Sequence, residues 1–412
     1  MSVSILFASV GLVILLGFVG SYFFKKTMVP DILWLLALGV IIGPMFNLVD
    51  SEFFISYSPF IASIAIMIIL FQGGIHTNLY SLIRQSSKSL LLAVLGILFS
   101  MASCALFMHY LLGWEILNGL LLGAILGGSS SPIIISLTKR LPLGEDIKTM
   151  MNVESTLTDA FCIIAALVVV DIMVMGSYSS LDIAKNIVGT FSIGAVMGFI
   201  VGVIWISGLS RIRGKEFEYM LIIAILLLLY SFVESISGSG AIASFLFGVV
   251  LANSKEISGM LRIKKSNMHS EIGHFHNEVS FLVKTFFFLY MGIIVTFNSP
   301  YVILISVLLT FMLLISRMLT VQIATYGSHV LPEEKHMMSA LMPRGLAAAV
   351  LTQVPIIYGL ANHDIYTDIV VNVIFMSILV TSVSVVLMKK RMNGEKGGSR
   401  KRRKPKTKKS RR

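Results

Sequence analysis

Four ionisable residues fall inside long apolar stretches of the sequence: Glu154, Asp159, Arg317 and Arg344. Charge inside a bilayer is costly, and such residues commonly mark ion pathways. Ser155 lies four residues before Asp159 and therefore shares its helix face, and Thr158 adds a second hydroxyl. A carboxylate flanked by hydroxyls can bind a dehydrated Na⁺ or K⁺, or it can bind a proton. Binding of the cation and binding of the proton largely exclude each other. The pattern predicts an ion-binding site at Asp159, with a buried structural acid as the alternative.

Glycines, serines and prolines interrupt two of the apolar stretches. One interruption covers residues 127–132 and includes Ser131 and Pro132, and the other covers residues 342–345 and includes Pro343 and Gly345. Such residues weaken a helix, and unwound backbone at this depth exposes carbonyls and helix ends that can face an ion. We predict two broken helices, although a simple proline kink packed by small residues would explain the first.

Arg317 and Arg344 need anionic partners if they lie within the bilayer. Glu154 is the natural partner, because both arginines fall at a similar depth when a rise of about 1.5 Å per helical residue is assumed. We predict a structural charge pair between Glu154 and one of the two arginines, and the sequence leaves open which one.

The composition identifies lipid as the main solvent of this chain. Of 412 residues, 56% are hydrophobic and 13% are charged, a proportion too apolar for a soluble protein of this length. Mean hydropathy is +0.88. Apolar segments long enough to cross a bilayer recur along residues 1–388. We predict thirteen spans, at 3–24, 29–47, 57–75, 89–112, 116–137, 150–175, 184–209, 217–236, 238–252, 278–297, 300–326, 337–360 and 366–388. The fold class is all-α and polytopic.

Loop charges predict the orientation in the membrane. Every second loop carries Lys or Arg, whereas the alternate loops carry mostly Asp or Glu. The positive-inside rule then places the N-terminus outside the cell membrane and the C-terminus in the cytoplasm. Residues 389–412 hold fourteen Lys or Arg and one acid, and we expect a basic, disordered cytoplasmic tail. Interrupted spans five and twelve cross in opposite directions, as in an inverted-topology repeat with two broken crossing helices.

Several motifs together resemble the sodium–proton antiporters of the cation–proton antiporter superfamily, especially the NhaP-like branch. The motifs that carry the resemblance are residues 38–44, Phe71-Gln72-Gly73-Gly74, Glu154-Ser155 followed by Asp159, Ile315-Ser316-Arg317 and Arg344-Gly345. The similarity extends over roughly residues 1–390.

The resemblance implies a thirteen-span inverted repeat with a mobile core domain and a dimerisation domain, and hence a homodimer. It makes Asp159 the acid shared by cation and proton, Ser155 and Ser130 candidate oxygen ligands, and Glu154 the acid paired with Arg317 or Arg344. Two departures stand out: Thr158 replaces the family's Asn, and Ser130-Ser131-Pro132 replaces its Thr-Asp-Pro. With one carboxylate at the site, we expect electroneutral exchange of one Na⁺ or K⁺ for one H⁺.

Two other functional classes fit the sequence less well. A cation channel, or a channel-like potassium efflux protein, would need a repeated carbonyl filter, and no such repeat occurs in the sequence. An intramembrane enzyme would need a metal cluster or a nucleophilic triad at one depth, and the predicted spans lack one. We expect no cofactor, no metal beyond the transported cation and no nucleic-acid partner.

Overall fold

A computed structural model describes most of the chain. The described residues are isolated positions between 11 and 22, then 30–46, 58–77, 87–141, 143–175, 180–212, 218–261, 272–295, 300–328, 330–360 and 363–402. The first predicted span, 3–24, lies largely outside them. Every regular element in these ranges is helical. The helices are α1 (Asp31–Val40), α2 (Ser58–Ile75), α3 (Ser87–Leu112), α4 (Ile116–Ile125), α5 (Ser131–Thr138), α6 (Glu145–Met175), α7 (Ser180–Ile212), α8 (Glu218–Ser235), α9 (Gly240–Ala252), α10 (Ser254–Met260), α11 (Ile272–Ile294), α12 (Pro300–Ala324), α13 (Pro332–Ala340), α14 (Leu346–Leu351), α15 (Val354–Ile357) and α16 (His363–Arg402).

Five of the described helices are long and apolar enough to cross a membrane on their own. These are α3, α6, α12 and the apolar parts of α7 and α16. Helices α9 and α10 qualify together, but they meet at an angle of 80°. The other apolar helices are shorter, so the chain is an all-helical membrane protein and the count of thirteen spans stays a prediction.

Both predicted interruptions contain non-helical residues, 126–130 and 341–345, whereas Ser131 and Pro132 form the first turn of a helix. Helix α4 ends at Ile125, and α5 begins at Ser131 with a proline in its first turn, where the missing N–H costs no helix bond. Residues 341–345 separate α13 from α14, and a further turn separates α14 from α15. Each predicted span is therefore built from short helices on either side of extended backbone.

Close contact between backbones packs α1 against α11. A Cβ added to Gly39 would lie 2.7 Å from the Cα of Gly292, so a side chain at either position would push the helices apart. An ion pair between Lys284 Nζ and Asp31 Oδ2, at 2.5 Å, joins the same two helices. Sequence patterns do not reveal this pair, because its members are far apart in the chain.

Helix α16 continues to Arg402, into the segment for which the sequence predicts disorder. Extending an existing helix needs no new nucleus, and Lys and Arg are good helix formers, so a long preceding helix favours this continuation. Residues 403–412 lie outside the described residues, and the predicted disorder there stays a prediction.

Candidate functional site

The two interruptions cross and bond to each other. The backbone N–H of Ser130 donates to the carbonyl oxygen of Pro343 at 2.8 Å. Gly345 lies directly against Ser130, since a Cβ added to Gly345 would fall 2.5 Å from the Cβ of Ser130. Backbone groups freed by one broken helix are therefore satisfied by the other, as buried polar groups require.

Arg344 lies behind this crossing. Its Nη1 donates to the carbonyl oxygen of Gly128 at 2.5 Å, and its backbone N–H donates to Ser377 Oγ at 3.0 Å. Cationic groups stabilise the C-terminus of a helix, where carbonyl oxygens are exposed, and Gly128 follows the C-terminus of α4. Arg344 thus connects both interruptions to α16.

Glu154 forms a two-point ion pair with Arg317. Nη1 and Nη2 of Arg317 each donate to one oxygen of the carboxylate, both at 2.9 Å, and Ser129 Oγ donates to Oε1 at 3.2 Å. Glu154 is 1% exposed and Arg317 is 7% exposed, so the pair is shielded from bulk solvent. The structure therefore places Arg317, rather than Arg344, against Glu154, and ties helices α6 and α12 together.

Asp159 lies on the opposite face of α6 from this pair and lines a cavity of about 350 Å³. Both the hydroxyl and the backbone N–H of Ser131, the first residue of α5, donate to its carboxylate. Ser130 and Thr156 also line the cavity. A carboxylate, hydroxyls and open space are the elements needed to exchange a small cation for a proton.

Ser155 and Thr158 do not join this cluster. Ser155 Oγ donates to the carbonyl of Asn152 at 3.0 Å, and Thr158 Oγ1 donates to the carbonyl of Ser155 at 3.0 Å. Thr158 Oγ1 also accepts from the backbone N–H of Ser129, at 3.2 Å. Both residues are fully buried, and neither lines the cavity. Thr158 thus fixes the backbone of the first interruption.

A second cavity, of about 420 Å³, lies further along α6. Asp171 and Glu234 line it, together with Tyr230, Thr190 and Tyr358. Asp171 is twelve residues beyond Asp159 on the same helix, a distance of about 18 Å. No residue lines both cavities.

A known protein family matches the sequence over the region that contains these charges and broken helices. The sequence profile described as "Sodium/hydrogen exchanger, transmembrane" matches residues 11–390. This chain belongs to the sodium/hydrogen exchanger family. The matched region contains the crossing, the ion pair and both cavities.

Curated relatives of this chain include antiporters from two bacteria. The K(+)/H(+) antiporter NhaP of Alkalimonas amylolytica is 23% identical over 396 residues, covering 91% of this chain and 65% of the relative. The K(+)/H(+) antiporter NhaP2 of Shewanella baltica is 25% identical, covering 87% of this chain and 61% of the relative. The chain thus spans less than two thirds of the length of these relatives.

Among solved structures, the sodium proton antiporter MjNhaP1 from Methanocaldococcus jannaschii, determined at pH 8, has a similar fold. Its TM-score is 0.78 at 20% sequence identity, and the match covers 94% of this chain and 98% of the other. At this identity the likeness establishes only the fold of the chain.

The sequence does not reveal the role of one side chain of the candidate site. The sequence identified Ser131 only as part of a broken helix, yet its hydroxyl contacts Asp159. The sequence does contain one indication of this contact. A serine followed by proline is typical of the start of a helix, where exposed N–H donors favour a nearby carboxylate. Its pairing with Asp159 depends on how α5 and α6 pack.

Proposed function

We propose that this chain is a secondary antiporter that exchanges Na⁺ or K⁺ for H⁺ by alternating access, without net charge movement. The observation that carries the proposal is Asp159, a half-buried carboxylate that faces a cavity and contacts the first residue of a broken helix. Membership of the sodium/hydrogen exchanger family, and the similarity to relatives that are named K(+)/H(+) antiporters, support the reaction class.

In the proposed cycle, cation and proton compete for Asp159. A cation that has lost its water needs several oxygen ligands, and the hydroxyls of Ser131 and Ser130 lie beside the carboxylate or in the same cavity wall. When the carboxylate takes up a proton, it loses the charge that holds the cation. Because a single acid serves both ions, one cation leaves for each proton that binds.

Alternating access requires a route to Asp159 from each side of the membrane. The cavity at Asp159 also contains His76 and Lys139, which belong to the loops assigned to the cytoplasm by their charge. We propose that this cavity is the cytoplasmic route, and that the cavity lined by Asp171 and Glu234 belongs to the outer route. Ile163 in the wall of the first cavity, and Ile66 and Leu167 in the wall of the second, are buried, and we propose that side chains between the two cavities close one route while the other is open.

The proposed architecture is a thirteen-span inverted repeat in the cell membrane, with the N-terminus outside and the basic tail inside. Two observations support it: the interruptions at 126–130 and 341–345 cross and bond to each other, and the loop charges alternate along the chain. Residues 1–388 would form the transporting domain and 389–412 the tail. A homodimer follows from the family resemblance.

Purified protein in liposomes tests the function directly. With an imposed pH difference and a pH-sensitive dye, addition of Na⁺ or K⁺ should dissipate the gradient, and the concentration dependence gives the preferred cation. Asp159→Asn keeps the side-chain size and should abolish the response, whereas Asp146→Asn, at an exposed position in the first turn of α6, should retain it.

Two outcomes would overturn the proposal. Wild-type exchange by Asp159→Asn protein would remove the carboxylate from the mechanism. Cation flux that runs down its own gradient with no proton movement would identify a channel instead.

A further inference from the structure

Arg344 is a buried cation whose side chain is only partly hydrogen-bonded. It is 3% exposed, and its Nη1 donates to the carbonyl of Gly128. In the part of the chain that the structure describes, its Nε is a buried donor with no hydrogen-bond partner. The carboxylate of Glu154 is engaged by Arg317, and no described carboxylate forms an ion pair with Arg344. Leaving such a donor unsatisfied in a protein interior is costly.

Arg344 also lines a small cavity, distinct from the two larger ones. The cavity measures about 10 Å³, and its walls include Arg317, Ser129, Ser100 and Gly96. A single water needs roughly 10–15 Å³ and two to four polar partners. Two arginines and two serine hydroxyls provide those partners on four sides of the space.

We propose that this cavity is a hydration site for one structural water. The water oxygen accepts a hydrogen bond from Nε of Arg344, and its hydrogens are donated to the hydroxyl oxygens of Ser100 and Ser129. Ser129 Oγ already donates to Glu154, so its lone pairs are free to accept. The water therefore links the arginine at the helix crossing to the ion pair between Glu154 and Arg317.

The volume distinguishes water from an anion. Two arginines beside one carboxylate leave one positive charge in excess, which would favour a chloride ion on electrostatic grounds. A cavity of about 10 Å³ is close to the space of one water, and chloride is larger. The walls belong to α3, α12 and the two interruptions.

A map of the full-length protein at a resolution that shows ordered water gives the direct test. We expect one density peak within hydrogen-bond distance of Arg344 Nε and Ser100 Oγ, unchanged when chloride is replaced by bromide in the buffer. Anomalous or stronger density after bromide exchange would replace the water with an anion site. An empty cavity, or an Nε that donates to a protein atom, would overturn the proposal.

A glycine substitution tests the energetic role of the water. In Gly96→Ala an added methyl would meet only Thr320 Cγ2, at 3.8 Å, so the residue fits, and Gly96 is one of the residues that line the cavity. Gly189→Ala on α7 is the matched control, because its methyl would meet no atom within 4 Å. Both changes improve helix propensity.

We expect Gly96→Ala to lower the melting temperature by a few degrees, whereas Gly189→Ala leaves it unchanged or raises it. Ser100→Ala removes one acceptor without adding volume and should also lower the melting temperature, by less. Equal or higher stability in both Gly96→Ala and Ser100→Ala would show that no water is held there.

Discussion

The backbone N–H of Ser130 donates to the carbonyl oxygen of Pro343 across 2.8 Å. The two residues belong to different interrupted segments, one after α4 and the other after α13. Their bond fixes the height at which the segments cross, and Ser131, one residue further on, then meets Asp159. The candidate ion site is therefore positioned by backbone contacts between two broken helices.

Gly345→Ala should disturb the crossing. An added Cβ would lie 2.5 Å from the Cβ of Ser130, closer than side chains tolerate, so one segment must shift. Overpacking of this kind typically costs about 1–3 kcal/mol. We expect a lower melting temperature and slower exchange, measured by fluorescence-detected thermostability and by the liposome assay.

Gly208→Ala, in α7, is the control, because a methyl there would contact nothing within 4 Å. If Gly345→Ala matched this control in stability and in transport rate, the close contact between Gly345 and Ser130 would not matter to the fold or to exchange.

Removing either partner of the Glu154–Arg317 pair should destabilise the protein. The remaining charge would be buried without its partner, and breaking a buried pair in this way typically costs about 3–5 kcal/mol. We expect Glu154→Ala and Arg317→Ala each to lower the melting temperature strongly. The double variant should lose much less than the sum, since neither charge is then stranded.

Glu333→Ala, at an exposed site in the first turn of α13, controls for loss of a carboxylate. Additive losses in the double variant would mean that the two side chains do not interact energetically.

The sequence indicates most of the elements of the site but few of their contacts. Charge within apolar stretches singles out Glu154, Asp159, Arg317 and Arg344, because such residues are costly in lipid. Glycine and proline likewise locate both interruptions. These are local properties, and the structure shows helix breaks at both places.

Partnership between distant residues is not a local property. Whether Arg317 or Arg344 meets Glu154 depends on how α12 and the second interruption pack around α6, and the sequence leaves both options open. The same applies to Ser131 and to the pairing of Lys284 with Asp31. In one case adjacency in sequence is misleading. Thr158 is adjacent to Asp159, but its hydroxyl bonds to the backbone of Ser129 and Ser155.

Access to the two large cavities should come from opposite sides of the membrane. Ser136→Cys, in the cavity that contains Asp159, should react with a membrane-impermeant thiol reagent from the cytoplasmic side. Thr190→Cys, in the other cavity, should react from outside. Right-side-out and inside-out vesicles separate the two cases.

The wild-type protein is its own background control, because Cys104 and Cys162 are both buried and should not be labelled. Labelling of both introduced cysteines from the same side would contradict the proposal that the cavities belong to opposite routes.

Exchange should be insensitive to membrane potential. One carboxylate, Asp159, lies in the wall of the cavity, and Thr158 stands where a second acid would be adjacent to it. One cation is then exchanged for one proton, and no net charge moves. We expect the same initial rate of cation-driven proton flux with and without a potential set by valinomycin and K⁺, in an assay driven by Na⁺. Acceleration or slowing by the potential would require a second charge in the transport step.

Ser131→Ala should weaken cation binding more than Ser155→Ala does. The hydroxyl of Ser131 contacts the Asp159 carboxylate at the cavity, whereas that of Ser155 donates to a carbonyl of its own helix. Both variants remove a serine hydroxyl. Ser155 is close to Asp159 in sequence, whereas Ser131 is distant in sequence but contacts Asp159 in space, so the comparison separates the two kinds of proximity. We expect Ser131→Ala to raise the apparent KM for Na⁺ or K⁺ by about tenfold or more, with a smaller effect on the maximal rate, because a lost hydrogen bond to a charged group is typically worth about 1.5–3 kcal/mol and about 1.4 kcal/mol corresponds to a tenfold change. Lowering the pH should raise the apparent KM in the wild type as well, since the proton competes for the same carboxylate. If Ser155→Ala raised the KM while Ser131→Ala did not, the cation would bind beside Ser155 rather than beside Ser131, and the cavity at Asp159 would not be its binding site.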